Sequence, residues 1–219
     1  DGIQYEADPG HMESVISELG LAGGKGAATP GVKDESEVSA TDLLSRRQSY
    51  HTPQASSNPR GEVEVFGADA EEDFPALIGE QLRQYQSLAA RLNYFSLDRP
   101  DTLFSVKELM RRLSKPTEED WTKLKRCARY LLSAPRLVVL YPWRPLSDTL
   151  QVYTDADHAG CHRTRKSTSG GAVLWGESLL KAWSRTQSLI ALSSGESELA
   201  AVTKAAAEGF GVQAVLGDF

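Results

Sequence analysis

Apolar side chains recur at helical spacing over residues 81–135 and predict three amphipathic helices there. Asp101, which follows Arg99 and Pro100, is a suitable N-cap for the second helix, and Thr117 with Pro116 opens the third. The polar faces between these stripes carry most of the basic residues of this block. The predicted buried stripes are Leu82, Tyr85, Leu88, Leu92 and Phe95, then Leu103, Val106, Leu109 and Leu113, then Trp121, Leu124, Ala128, Leu131 and Leu132.

The first 33 residues predict a short strand followed by a helix. Ile3 and Tyr5 alternate with polar neighbours, as a strand requires, and Asp8 with Pro9 and Gly10 marks a turn. Helical spacing follows and ends at Gly20. The apolar positions of this helix are Met12, Val15, Ile16 and Leu19.

The last third of the chain predicts three strands and then a helix. The strands fall at about 149–155, 171–175 and 179–184, and a turn at Gly176 joins the last two as a hairpin. Ser193 and Glu196 have the spacing of a capping box at the start of the helix. We expect its buried stripe to consist of Leu199, Val202, Ala206 and Phe210.

Charge is distributed unevenly along the chain. Residues 34–80 carry 11 acidic and 3 basic side chains with few large apolar ones, which predicts a disordered acidic linker. Residues 81–219 carry 19 basic and 14 acidic side chains, so the net charge of −6 does not exclude nucleic-acid binding. Two cysteines argue against a disulfide framework and indicate a reducing compartment. No apolar run has the length of a membrane span, so we expect no membrane association.

Carboxylates follow the first predicted strand of the last third and return at the start of the helix. Asp155 shares one face of that strand with Gln151 and Tyr153 and lies where the strand ends. A second carboxylate from a nearby helix would complete a common arrangement for holding a hard divalent cation.

The order and spacing of three motifs resemble the ribonuclease H domain of copia-type retrotransposon Pol polyproteins. The motifs are Tyr-Thr-Asp-Ala-Asp at 153–157, Thr-Arg-Lys-Ser-Thr-Ser-Gly at 164–170 and Leu-Ser-Ser-Gly-Glu-Ser-Glu at 192–198. The resemblance implies an α/β (mixed α+β) fold, with a partial ribonuclease H-like mixed sheet and flanking helix after a small helical connection region. It implies four domains or regions. These are the end of a reverse transcriptase palm-like region (1–33), the linker (34–80), a thumb- or connection-like helical region (81–147) and the N-terminal part of ribonuclease H (148–219).

The resemblance also implies hydrolysis of the RNA strand of an RNA–DNA hybrid by two Mg²⁺ ions held by four carboxylates. Asp155 and Glu198 match the first two carboxylates of the family site and are the candidate catalytic and metal-binding residues. The third and fourth belong to a later strand and helix, and the sequence does not reach them. We therefore expect the chain alone to be weakly active or inactive.

Neighbouring residues leave alternatives open. Glu196 competes with Glu198 as the metal ligand but has a structural role as a capping partner, so Glu198 is favoured. Asp157 joins the metal ligands if the strand continues and is a turn residue if the chain turns at Ala156. His158 could contact a phosphate or a metal-bound water, although an exposed loop histidine is the simpler interpretation.

Basic residues supply the candidate nucleic-acid contacts. Arg163, Arg165, Lys166 and Ser167 form a candidate phosphate-binding loop. Residues 99–147 hold 11 basic and 5 acidic side chains, among which Lys125 and Arg129 are candidate contacts to a hybrid duplex. Both sets are equally compatible with solvated surface charge.

Three hypotheses follow. The first is an enzyme fragment whose partners are an RNA–DNA hybrid and the rest of the Pol polyprotein. The second is a non-catalytic nucleic-acid-binding remnant that uses the basic helices 99–147. The third is a helical protein-interaction module with the acidic linker as its binding segment. For the first, the resemblance implies a cytoplasmic location in virus-like particles, with the nucleus as an alternative.

Overall fold

The computed structural model describes residues 1–31, 74–145, 147–161 and 163–218, which belong to one compact unit. It is a mixed α/β structure with two small antiparallel sheets and five helices among these residues. The strands are β1 (Gly2–Glu6), β2 (Val138–Pro142), β3 (Leu150–Asp157), β4 (Thr168–Trp175) and β5 (Ser178–Thr186). The helices are α1 (Pro9–Glu18), α2 (Gly79–Phe95), α3 (Leu103–Arg111), α4 (Glu118–Ser133) and α5 (Ser194–Gly217).

Helices α1 to α4 enclose the larger core. Tyr85, Leu88, Leu124 and Leu131 have no exposed surface, and Val15 of α1 is equally buried among them. The three helices predicted over 81–135 and the helix predicted near the amino end are therefore confirmed, because each carries an apolar stripe wide enough to specify its own packing.

A three-residue 3₁₀ turn (Pro100–Thr102) precedes α3, and this corrects the predicted N-cap. The α-helix begins at Leu103, and the Asp101 carboxylate instead accepts two hydrogen bonds from Arg99, at 3.0 and 2.8 Å. It also accepts one from the Tyr130 hydroxyl at 2.7 Å. Arg99 is 1% exposed, and a buried guanidinium needs a charged partner more than a helix end needs a cap.

The acidic linker was predicted over 34–80, and its residues 34–73 lie outside the described part of the chain. For the remaining residues the prediction is wrong, because the segment 74–78 is packed against the helical region. Leu77 is buried in the larger core, and its amide donates to Pro116 O at 2.9 Å. Glu118 N donates to Pro75 O at 3.0 Å, so this segment is tied to the start of α4. The segment 74–78 is apolar apart from the backbone, which allows it to pack although its neighbours in sequence are acidic.

The first sheet pairs β1 with β2 over Gly2↔Pro142 to Glu6↔Val138, and only β1 was predicted. The second sheet has the order β3-β4-β5, with each pair antiparallel. Its three strands confirm the three predicted from the alternation of apolar and polar residues, with each observed strand extending beyond the predicted bounds. Helix α5 packs on one face of this sheet.

Helix α5 packs with a stripe different from the predicted one. Ser197, Ala201, Ala205 and Gly209 are buried against the sheet, whereas Leu199 and Phe210 are 66% and 68% exposed. Val202 and Ala206 are also exposed, so the predicted stripe is wrong. Small side chains let the helix approach the strands closely: a Cβ on Gly209 would lie 2.9 Å from Val152 Cγ2.

Candidate active site

Asp155 lies near the end of β3, on the sheet face opposite α5. Val152 points toward Gly209 of α5, and successive side chains alternate between the faces of a strand. In the register with β4, Asp155 pairs with Gly170 and Asp157 with Thr168. The prediction that Asp155 shares a face with Tyr153 is consistent with this register. The prediction that the strand ends at Asp155 is wrong, because the pairing with β4 continues to Asp157.

The carboxylates of Asp155 and Glu198 are unpaired within the described part of the chain. Asp155 is exposed and Glu198, near the start of α5, is half-buried. Neither makes a hydrogen bond or an ion pair with another described residue. Their oxygen atoms are therefore available to an external ligand such as a hydrated cation.

Glu196 has the structural role that its spacing predicted, with a different partner. Ser193 Oγ accepts from Glu196 N at 3.2 Å, as in a capping box. The Glu196 carboxylate, however, accepts from Leu192 N at 2.7 Å rather than from the Ser193 amide. The box is thus closed one residue earlier, and Glu196 is engaged in fixing the start of α5.

Asp157 continues β3 and also forms part of the following turn. It is the last residue of the strand, and a Cβ on Gly160 would overlap its carboxylate. This close approach explains the glycine at position 160. His158 is exposed in the same turn.

Oxygen donors of this kind suit Mg²⁺, but their number falls short of a complete site. Within residues 1–31 and 74–218, apart from positions 146 and 162, no group of three or more His, Cys, Asp or Glu side chains is placed to hold a metal ion. Asp155, Asp157 and Glu198 are therefore not gathered into one coordination shell. The described residues do not fit a two-metal centre by themselves.

A basic loop, residues 158–167, connects β3 to β4. It is closed by hydrogen bonds from Cys161 N to Lys166 O (3.2 Å) and from Arg165 N to Cys161 O (2.7 Å). Arg163 and Arg165 are exposed, and Lys166 is half-buried. Two residues that are not glycine, Ala159 (φ 51°) and Arg165 (φ 54°), adopt the left-handed conformation, which is uncommon for such residues.

Ser167, the fourth predicted residue of this loop, is fully buried. Its hydroxyl oxygen accepts a hydrogen bond from Ala159 N at 3.0 Å, and its carbonyl accepts one from Gln187 N at 2.8 Å. This hydroxyl therefore fixes the two ends of the loop together. A contact between Ser167 and a phosphate would require the loop to open.

Helix α3 supplies two cations to the loop that the sequence did not indicate. Lys107 Nζ donates to Thr168 Oγ1 at 2.8 Å, and Arg111 Nη2 donates to Cys161 Sγ at 2.9 Å. Burial opposes ionisation of the Cys161 thiol, but hydrogen bonding, which includes the bond from Arg111, outweighs it and lowers the pKa of Cys161. The basic spacing 107/111 is the one signal that could have pointed to this contact.

Most of the basic side chains over 99–147 are already paired. Seven of the eleven form ion pairs with described acids, which leaves four without one. Two of those four are Lys125, whose Nζ lies 5.5 Å from the Trp121 ring centroid, and the exposed Arg129. They are one turn apart on α4. The seven paired residues are Arg99, Lys107, Arg111, Arg112, Lys123, Arg136 and Arg144.

A cavity of about 600 Å³ lies between the start of β3 and the second half of α5. Leu150, Val152, Trp175 and Phe210 line it, and Asp155 does not.

None of the described helices combines the length and apolarity needed to cross a membrane. Cys127, which is buried, and Cys161 are both free thiols.

Comparison with known proteins identifies relatives among transposon proteins. The chain is 32% identical over 124 residues to the uncharacterized mitochondrial protein AtMg00810 of Arabidopsis thaliana, which covers 57% of this chain and 51% of that protein. It is 32% identical over 126 residues to the retrovirus-related Pol polyprotein from transposon RE2 of the same plant, or 57% of this chain and 8% of the polyprotein. No protein-family model and no solved structure matches.

A third relative is similar over most of its own length. Secreted RxLR effector protein 161 of Plasmopara viticola is 34% identical over 132 residues, which covers 57% of this chain and 87% of that protein. The chain spans about half of AtMg00810 and a small part of the Pol polyprotein. Over 57% of its length the chain is therefore similar to a small part of retrovirus-related Pol polyproteins of transposons and to most of this effector protein.

Proposed function

We propose that residues 148–218 are the first part of a ribonuclease H domain of a copia-type retrotransposon Pol polyprotein, and that Asp155 and Glu198 are two of its Mg²⁺ ligands. One observation carries the proposal. An antiparallel three-stranded sheet carries Asp155 near the end of its first strand and is followed by a helix that carries Glu198 near its start, and neither carboxylate pairs with a described residue. The relatives among Pol polyproteins support the same assignment.

The substrate of such a domain is an RNA–DNA hybrid. In a complete site of this class, Mg²⁺ would supply the Lewis-acid chemistry of the hydrolysis. Asp155 and Glu198 would contribute hard oxygen ligands, while Arg163, Arg165 and Lys166 would contact phosphates beside them. Because the described residues supply too few ligands for two ions, we expect weak cleavage or none by this chain alone.

Hybrid cleavage by the 219-residue chain in Mg²⁺ tests the catalytic role. We expect any Mg²⁺-dependent cleavage to be abolished in Asp155→Asn and in Glu198→Gln. Glu196→Gln is the matched control, since it neutralises a carboxylate two residues away that is engaged with Leu192 N. Strong cleavage that survives Asp155→Asn would show that the reaction takes place at another site. Cleavage that is lost only in Glu196→Gln would show that Glu196, and not Glu198, is the metal ligand.

A second candidate function is nucleic-acid binding by the helical region without catalysis. Lys125 and Arg129 favour it, because they lie one turn apart on α4 and neither pairs with a described acid. Replacing both by Met should reduce the salt dependence of hybrid binding by about 1.8 in the slope of log K against log salt, at about 0.9 for each phosphate contact. An unchanged slope would leave these residues as solvated surface charge.

A further inference from the structure

One face of α3 is an ordered row of side chains at positions 104, 107, 108 and 111, the spacing of a single helix face. The Glu108 carboxylate lies between two cations, 2.7 Å from Lys107 Nζ and 3.0 Å from Arg111 Nη1. Lys107 Nζ also lies 4.4 Å from the Phe104 ring centroid. Each cation is thus held by neighbours on its own helix before it contacts anything else.

This row contacts the basic loop and the residue that follows it. Arg111 reaches Cys161 in the first half of the loop, and Lys107 reaches Thr168, the residue that follows it. The Lys107 and Arg111 side chains are only 12% and 21% exposed. Their charged groups are therefore directed at the loop and at the residue that follows it, whereas Arg163 and Arg165 of the loop are exposed.

The loop needs such support. Its own closing contacts are two backbone hydrogen bonds between Cys161 and residues 165–166 and one from Ala159 N to Ser167 Oγ, and two of its residues are in the left-handed conformation. Cations on a loop bind phosphates well only when the loop is already in the bound geometry, because ordering it on binding costs affinity.

We propose that Lys107 and Arg111 are positioning residues for the basic loop 158–167, so that nucleic-acid binding by this loop depends on α3 of the preceding helical region. The proposal rests on the proposed function, in which the loop contacts phosphates. Under this proposal the affinity of the loop for a hybrid depends on side chains of the helical region. Lys107 and Arg111 act through the loop and need no contact with nucleic acid themselves.

Salt-dependent binding of a fluorescein-labelled RNA–DNA hybrid to the full chain, in metal-free buffer, tests the proposal. A triple Ala variant of Arg163, Arg165 and Lys166 should lower the slope of log K against log salt by about 2.7, at about 0.9 for each contact. Arg111→Lys keeps the charge but loses the planar fork that holds Glu108 and Cys161 together. We expect it to lower the slope by nearly as much as the triple variant.

Matched variants separate positioning from charge. Lys115→Met removes an exposed cation elsewhere in the helical region and should change the slope by at most about 0.9. Lys107→Met should behave like Arg111→Lys, and Lys107→Arg, which retains a donor for Thr168, should restore binding. The rate of Cys161 alkylation, measured at several pH values, reports loop docking independently. In Arg111→Lys the pH at which this rate rises should be higher, because the hydrogen bond that favours the thiolate is lost.

The outcomes distinguish the two claims. In one outcome the triple variant has the reduced slope of log K against log salt, while Arg111→Lys and Lys107→Met bind as the unmodified chain does. The positioning role is then wrong and the proposed loop function stands. If the triple variant binds with an unchanged slope, the loop does not contact nucleic acid, and both are wrong. Far-ultraviolet circular dichroism and urea midpoints show whether each variant is folded.

Discussion

Glu208 of α5 is the centre of a charge cluster, and neutralising it should loosen the helix that carries Glu198. Its carboxylate, 11% exposed, pairs with Lys181, with Lys204 Nζ at 2.8 Å and with Arg185 Nη1 at 4.0 Å. Hydrogen bonds from Lys181 and Lys204 lower the pKa of Glu208 from 4.5 to about 2. We expect Glu208→Gln to reduce the free energy of unfolding and to leave three cations without their shared partner.

The magnitude follows from the linkage between pKa and stability. A shift from 4.5 to about 2 corresponds to at most about 3.4 kcal/mol at neutral pH. The three cations are 40–59% exposed, so solvent screening reduces the expected value to about 1–2 kcal/mol. Because the folded pKa is the lower one, this stability is present above the unfolded pKa and is lost as pH falls through the folded pKa.

Urea unfolding of both proteins between neutral pH and about pH 2 measures the effect. The difference between wild type and Glu208→Gln should be full above the unfolded pKa of 4.5 and should shrink toward pH 2. Glu177→Gln is the control, because Glu177 and its partner Arg144 are both more than half exposed and should contribute at most about 1 kcal/mol. A Glu208→Gln difference that is absent at neutral pH, or that grows on acidification, would refute the reasoning.

Three further predictions concern packing and the thiols. Gly209→Ala should lower the free energy of unfolding by about 1 kcal/mol or more, because the added Cβ would lie 2.9 Å from Val152 Cγ2. Gly211→Ala meets no atom within 4 Å and should raise the free energy of unfolding by up to about 1 kcal/mol. The urea midpoints of the two variants measure the difference. Arg99→Met should lower the free energy of unfolding by about 3–5 kcal/mol in the same assay, since it leaves the Asp101 carboxylate without its charged partner. At mildly alkaline pH a thiol reagent should modify Cys161 and spare Cys127, because burial raises the pKa of Cys127 to about 12; equal rates would contradict this.

The sequence predicted elements whose pattern is local and one-sided. The stripes of α2 and α4 each have one apolar face, so burial follows from periodicity alone. Helix α5 has apolar residues on two faces, and size suggested that Leu199 and Phe210 were inside. The sheet instead accepts the small residues, a preference that depends on Val152 and cannot be read within the helix.

Long-range partners were beyond prediction for the same reason. Strand β2 is a short apolar run whose partner β1 lies more than 130 residues earlier, and nothing near β2 indicates that pairing. The strand face that Asp155 shares with Tyr153 follows from period two alone. The docking of Lys107 and Arg111 on the basic loop depends on how α3 packs, so the 107/111 spacing alone could not specify it.

The pairing of β1 with β2 means that the two stretches on either side of residues 32–73 are held together by more than the chain between them. Arg136 forms two 2.8 Å hydrogen bonds with Glu6, Arg129 O accepts from Ala27 N at 3.1 Å, and Val15 and Ile16 lie in the common core. A proteolytic cut within 32–73 would therefore leave a noncovalent two-piece complex. Residues 1–31 would then be the complementing fragment, and their loss would remove a strand partner and part of a core.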